Sequence, residues 1–167
     1  VIVLVGFMGA GKTTVGQLLA SELGLPFADA DSMIAERAGT PVPQIFAEHG
    51  EPAFRELEQE TIASLLAGPR LVLALGGGAV EHEQTRRVLK AAEHTVYLHV
   101  RYEVALDRVG GDDGRPMLRR PDLAEVYRRR LVAYSEVATL TIDTEGRKPE
   151  LVCTDIVRHL AGSPATR

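Results

Sequence analysis

The run Gly6-Phe7-Met8-Gly9-Ala10-Gly11-Lys12-Thr13 has the spacing G-x-x-x-x-G-K-[ST]. That spacing suits a loop whose backbone N–H groups turn inward around phosphate oxygens, with a helix N-terminus behind it adding partial positive charge. Main chain from Gly9 through Ala10, Gly11, Lys12, Thr13 and Thr14 would hold the phosphates of ATP, and the Lys12 ammonium would bridge the β- and γ-phosphates. The Thr13 hydroxyl is the expected ligand of Mg²⁺. Loops of this kind serve motors, switches and kinases alike. The motif therefore fixes the phosphate donor and leaves the acceptor open.

Further residues supply groups for an acceptor side. Phe27-Ala28-Asp29-Ala30-Asp31 puts two carboxylates two residues apart at the end of a short apolar run. On extended backbone such residues face the same way. Asp29 is the candidate for the Mg²⁺ water shell opposite Thr13, and Asp31 the candidate that meets the acceptor hydroxyl. An Asp31 that only caps a helix starting at Ser32 is the competing reading. Gly50-Glu51-x-x-Phe54-Arg55-x-x-Glu58 sets Arg55 and Glu58 one helical turn apart, so that Glu58 can hold the guanidinium ready for a carboxylate ligand. An ordinary surface ion pair would use the same spacing. Gly76-Gly77-Gly78 follows the apolar run 71–75, where residues without side chains let backbone approach a ligand at a sheet edge.

Rigid elements must stand behind these groups. Short apolar runs at 1–5, 71–75, 95–100 and 139–142, with a shorter one at 25–28, lie among helix-period segments at 12–23, 32–38, 42–47, 52–66, 83–91, 103–109, 122–137 and 149–160. This alternation predicts βαβ units on a parallel sheet, an α/β fold. Gly24 stops the first helix, and Asp122 and Glu125 place negative charge at the start of another. Gly110-Gly111-Asp112-Asp113-Gly114 predicts a mobile loop.

With 167 residues and 45% apolar composition, one domain spanning 1–167 is expected. A net charge of −4 gives no general pull toward nucleic acid or anionic lipid. No apolar stretch approaches the roughly 20 residues needed to cross a bilayer. Cys153 is the only cysteine, which excludes an intrachain disulfide and fits a reducing cytoplasm. His49, His82, His94, His99 and His159 show no metal-ligand spacing. The opening apolar run reads as a strand rather than a signal peptide, and the missing initiator Met leads us to expect a trimmed chain. Nothing calls for a dimer, so a monomer is expected.

Taken together, Gly-Phe-Met-Gly-Ala-Gly-Lys-Thr-Thr-Val-Gly at 6–16, Asp29-x-Asp31, Ile45-Phe46, Gly50-Glu51-x-x-Phe54-Arg55-x-x-Glu58 and Gly76-Gly77-Gly78-Ala79-Val80 resemble the shikimate kinases, in order along nearly the whole chain. The resemblance implies a three-layer P-loop kinase fold, a five-stranded parallel sheet flanked by helices, with a substrate-binding helical region at about 31–60 and a lid at about 109–122. It implies ATP-dependent phosphorylation of the 3-hydroxyl of shikimate. Carried over, it makes Asp31, Arg55, Gly76, Gly77, Gly78 and Arg130 the shikimate contacts, with Arg55 and Arg130 on the carboxylate and Val42, Phe46 and Phe54 around the ring. Arg115 resembles the lid arginine over the phosphates and joins Lys12 and Asp31 as the catalytic set, while Arg108, Arg147 and Pro149 resemble the adenine-side contacts. Arg130 keeps a four-residue spacing to Tyr134, and Arg128 or Arg129 would replace it if the register shifted. Otherwise Arg119, Arg120, Arg128 and Arg129 read as a solvated face. A kinase of another sugar acid such as gluconate would share this frame, and so would an ATP-binding module without acceptor chemistry. Such a module has no need of Asp31, Arg55 and Arg115.

Overall fold

The computed structural model describes residues 1–110 and 120–162. Strands β1 (Ile2–Val5), β2 (Phe27–Asp29), β3 (Val72–Ala74), β4 (His94–His99) and β5 (Leu140–Asp143) form one sheet in the order β2-β3-β1-β4-β5. Every pairing is parallel, and Ile2 of β1 stands between Val72 and His94. β1 and β3 are buried along their whole length, which is why both read as unbroken apolar runs rather than an alternating pattern.

Helices α1 (Lys12–Leu23) and α7 (Pro149–Gly162) pack on each other. A second group is formed by α3 (Val42–Leu66), α4 (Glu83–Ala91) and α6 (Leu123–Val137), linked through the 3₁₀ turn Ala79–Glu81. With the right-handed crossovers that parallel sheets adopt, the strand order sends these groups to opposite faces of the sheet, making three layers. Helix α5 (Tyr102–Val109) follows β4. Helix α2 (Ala30–Ala38) pairs with α3 around a small satellite cluster of Ile34, Ile45 and Phe54, apart from the main core that surrounds the sheet. No helix among the described residues is long and apolar enough to cross a membrane.

Helices α1 and α4 take the expected spans, α5, α6 and α7 fall within two residues of theirs, and α2 and α3 differ for identifiable reasons. α2 begins two residues before the expected Ser32 because Asp29, not Asp31, is its cap: Asp29 Oδ1 accepts from the backbone N–H groups of Asp31 at 3.1 Å and Ser32 at 3.3 Å. The helices expected at 42–47 and 52–66 are the two halves of α3, which meet at a break where Gly50 adopts φ 77° and ψ 173°. Only glycine enters that region at low cost, and Pro52, which has no N–H to donate, opens the second half. Asp122 does sit at the start of α6, but its carboxylate turns away from the helix N–H groups to accept from Arg120 at 2.7 and 2.8 Å. Most of the expected lid at 109–122, with Arg115 and Arg119, lies outside the described residues.

Candidate active site

Because the strands are all parallel, the loops that follow them gather at one edge of the sheet, where open α/β folds hold ligands. The loop after β1 is tightly wrapped. Gly9 has φ 73°, and a Cβ there would stand 2.7 Å from the carbonyl oxygen of Ala105, so both conformation and space demand glycine. Gly11 caps α1 without any side chain accepting from the first-turn N–H groups, which leaves an anion-binding helix end facing the loop. Lys12 curls back over it, its Nζ donating to the carbonyls of Gly6 at 2.8 Å and Phe7 at 3.0 Å. Arg108 ties the loop to the end of β5, donating to Gly9 O at 3.0 Å, Thr144 Oγ1 at 3.1 Å and Thr144 O at 2.8 Å. Pro149 starts α7, and Arg147 pairs there with Asp155 at 2.6 Å. That pair lines a shallow depression of about 510 Å³ beside β5, made of none of the phosphate-loop or acceptor-side residues.

Thr13 Oγ1 approaches Asp29 Oδ2 at 3.4 Å, while Asp29 Oδ1 is committed to the α2 cap. These are hard oxygen donors beside a phosphate-binding loop. Among the described residues no group of three or more His, Cys, Asp or Glu side chains is arranged around a cation position. The set suits Mg²⁺, which keeps waters and phosphate oxygens as ligands instead of filling an all-protein cage.

The glycine run after β3 is where the acceptor-side groups meet. A Cβ on Gly76 would fall 2.7 Å from Asp31 Oδ1, and one on Gly78 would fall 2.8 Å from Arg55 Nη2 and 3.1 Å from Arg130 Nη2. None of the three glycines has positive φ, so what they provide is room rather than an unusual backbone. Arg55 donates to Glu58 at 2.7 Å and to Glu51 at 3.1 and 3.3 Å. With Glu58 only 1% exposed, this is no surface pair. Burial would lower the Arg55 proton affinity, but Glu58 and Glu51 more than offset it and the net direction is upward. Burial lifts Glu58 above the ordinary carboxylate range against the opposing pull of Arg55.

Asp31 remains open to the crevice, yet loss of hydration raises its carboxyl above the usual range. The neighbouring Asp29 charge raises it further, while Lys12 and Arg55 pull it down. Those opposing charges place Asp31 within the field of both the phosphate loop and the Arg55 guanidinium. With Asp29 serving as the cap, Asp31 is released from the role that the competing reading gave it.

Of the three consecutive arginines on α6, Arg130 is 5% exposed and reaches the glycine run. Arg128 pairs with Glu125 and Arg129 with Glu81, both with exposed side chains. Tyr134, fully buried, donates its hydroxyl to Gly77 O at 2.6 Å and so fixes the run from behind. Phe46 and Phe54 stack at 4.5 Å between centroids, Phe54 buried and Phe46 open, and the Arg55 guanidinium lies 5.2 Å from the Phe54 ring. The structure thus brings together Asp31, Arg55, Arg130 and the three glycines, with Phe54 against Arg55. Two partners went unnoticed in the sequence, Glu81 and the holding role of Glu51.

Comparison with known proteins comes to the same place. The family model described as "Shikimate kinase" matches residues 8–161. The chain is 45% identical over 167 residues to the shikimate kinase of Pseudomonas syringae pv. syringae (strain B728a), covering 98% of this chain and 97% of that one. It is 48% identical over 162 residues to the shikimate kinase of Moorella thermoacetica, covering 95% and 93%. Among solved structures, shikimate kinase from Acinetobacter baumannii in complex with shikimate is similar with TM-score 0.90 and 37% identity, covering 99% of this chain and 94% of that one.

Proposed function

The chain belongs to the shikimate kinase family, and from that premise we propose how its own residues carry the γ-phosphate of ATP to the 3-hydroxyl of shikimate, giving shikimate 3-phosphate and ADP. The observation that carries the assignment of roles is the meeting of Asp31, Arg55 and Arg130 on one glycine run, with Lys12 close enough to act on the Asp31 charge. A carboxylate-bearing ring with a hydroxyl some distance away needs such a division: guanidinium groups at one end, an acid at the other.

The backbone of Gly9, Ala10, Gly11, Thr13 and Thr14 and the Lys12 ammonium cradle the phosphates, and Lys12 moves from the loop carbonyls onto the β- and γ-oxygens. Thr13 and Asp29, 3.4 Å apart, would hold Mg²⁺, which would supply positive charge against the β- and γ-phosphates. Arg55 and Arg130 grip the shikimate carboxylate with paired hydrogen bonds, and Phe46 and Phe54 wall the ring. That leaves the 3-hydroxyl facing Asp31, which orients it and accepts its proton as the new P–O bond forms. A raised carboxyl suits this task, since a base with a pKa nearer the working pH keeps more driving force for the transfer. Arg108 and the Arg147 and Pro149 segment border the adenine. We read the chain as a single-domain monomer in the cytoplasm, with 31–60 as the acceptor region; the lone buried cysteine supports the reducing compartment.

A coupled ADP-release assay over an acceptor panel tests the proposal. Turnover with shikimate and none with gluconate is expected, and gluconate turnover without shikimate turnover would overthrow it.

A further inference from the structure

We propose that Glu81 is a positioning residue for acceptor recognition, holding Arg130 so that its guanidinium faces the glycine run; this rests on the reading above, in which Arg130 grips the shikimate carboxylate. Glu81 ends the 3₁₀ turn that follows Gly78. Its Oε2 accepts from Arg130 Nε at 3.1 Å and Nη2 at 2.7 Å, and its Oε1 accepts from Arg129 Nε at 3.1 Å and Nη2 at 2.6 Å. Both carboxylate oxygens are therefore committed. Arg130 is engaged along the Nε side of its fork, and the Nη groups lie against Gly77 and Gly78, beside Arg55. An acceptor carboxylate can approach that face without displacing Glu81.

Two features show a built arrangement. Arg86 donates to the carbonyls of Val80 at 2.8 Å and Glu81 at 2.9 Å and pairs with Glu136 on α6, so the backbone carrying Glu81 is clamped to the helix that carries Arg130. The site is also paired: Glu58 and Glu51 hold Arg55 and Glu81 holds Arg130, so carboxylates stand behind both guanidinium groups. Burial would raise Glu81, but the hydrogen bonds from Arg129 and Arg130 outweigh it and hold the carboxyl below the ordinary range, favouring the ionised form. A long arginine side chain without such a holder loses rotamer freedom on binding, and that entropy weakens the grip.

Steady-state kinetics on Glu81→Ala, Glu81→Gln, Arg130→Ala and the Glu81→Ala/Arg130→Ala double variant decide the matter. Glu81→Ala should raise the shikimate KM about tenfold while kcat and the ATP KM move less than about twofold, and Glu81→Gln should recover part of the loss. In the Arg130→Ala background, Glu81→Ala should add nothing further. If Arg130→Ala raises the shikimate KM but Glu81→Ala leaves it unchanged or lowers it, the positioning role is wrong and the Arg130 reading stands. If Arg130→Ala itself leaves the shikimate KM unchanged, both fail.

Discussion

Asp31 is the residue whose chemistry is most exposed to test, because its ionisation acts on folding and on catalysis with opposite signs. Its folded pKa is raised by lost hydration and by Asp29, so the native state favours the protonated acid more than the unfolded chain does. Any stability this lends is full below the unfolded pKa and is lost as pH rises through the folded one. At neutral pH the ionised carboxylate is thus a strain on the fold. Asp31→Asn should raise Tm at pH 7, and its advantage over the parent should shrink as pH falls through the acid range, read by calorimetry at several pH values. The same variant should lower kcat by about 10²–10⁴, the usual contribution of a positioned base. A near-normal kcat would leave Asp31 as a mere neighbour of the cap that Asp29 provides. For Arg55 the expected loss falls on binding: Arg55→Ala should raise the shikimate KM by at least about tenfold with little change in the ATP KM, since a charge-assisted hydrogen bond contributes about 1.5–3 kcal/mol. Arg55→Lys should rescue poorly, because an ammonium cannot reproduce two parallel bonds while also satisfying Glu58 and Glu51. An unchanged KM in Arg55→Ala would remove it from the carboxylate grip.

The elements that carry these groups are the glycine run, the kinked α3 and the phosphate loop, and each tolerates change differently. The three atoms nearest a methyl group on Gly78 are the ends of the Arg55 and Arg130 side chains, at 2.8 to 3.1 Å. Gly78→Ala should therefore cost under about 1 kcal/mol of stability, as side-chain tips can shift, yet raise the shikimate KM severalfold by moving both guanidinium groups. Gly6→Ala is the contrast: its Cβ would stand 2.5 Å from the backbone oxygen of Leu98 at φ 150°, so denaturant melts should show a loss of more than about 1 kcal/mol. Gly78→Ala unfolding as readily as Gly6→Ala would refute the distinction. How far these elements could be read from sequence follows from how local their causes are. β1, the loop and α1 were legible because one motif sets the turn, the cap and the helix start in adjacent residues. The capping role of Asp29 was not, since two aspartates of the same type differ only in backbone geometry. The break at Gly50 was visible as the gap between two expected helices, because a glycine followed by Pro52 interrupts the helix pattern locally. Glu81 was out of reach: its partners Arg129 and Arg130 lie 48 and 49 positions away, and only the packing of α6 on the 3₁₀ turn brings them together.

At the scale of the molecule, the site joins two bodies of unequal solidity. The phosphate loop, the glycine run and Arg130 stand on the large core around the sheet, whereas Phe54 and the neighbouring Arg55 stand on the small cluster of Ile34, Ile45 and Phe54 between α2 and α3. A cluster of that size buries little apolar surface, so α2 and the part of α3 from Val42 through Arg55 should open at lower free energy than the sheet. A ligand held between Arg55 and Arg130 links the two bodies, and linkage converts its binding into stability of about 2.7 kcal/mol at a hundredfold excess over Kd. The gain should not be uniform. Shikimate alone should slow backbone hydrogen exchange in α2 and α3, where the open state loses the Arg55 contact, and leave the already solid β1 and β3 unchanged. ADP alone should act instead on the loop around Lys12 and the first turn of α1. Protection by shikimate confined to the phosphate loop, or absent from α2 and α3 while Tm rises, would show that the acceptor does not bridge the two bodies and that Arg55 holds something else.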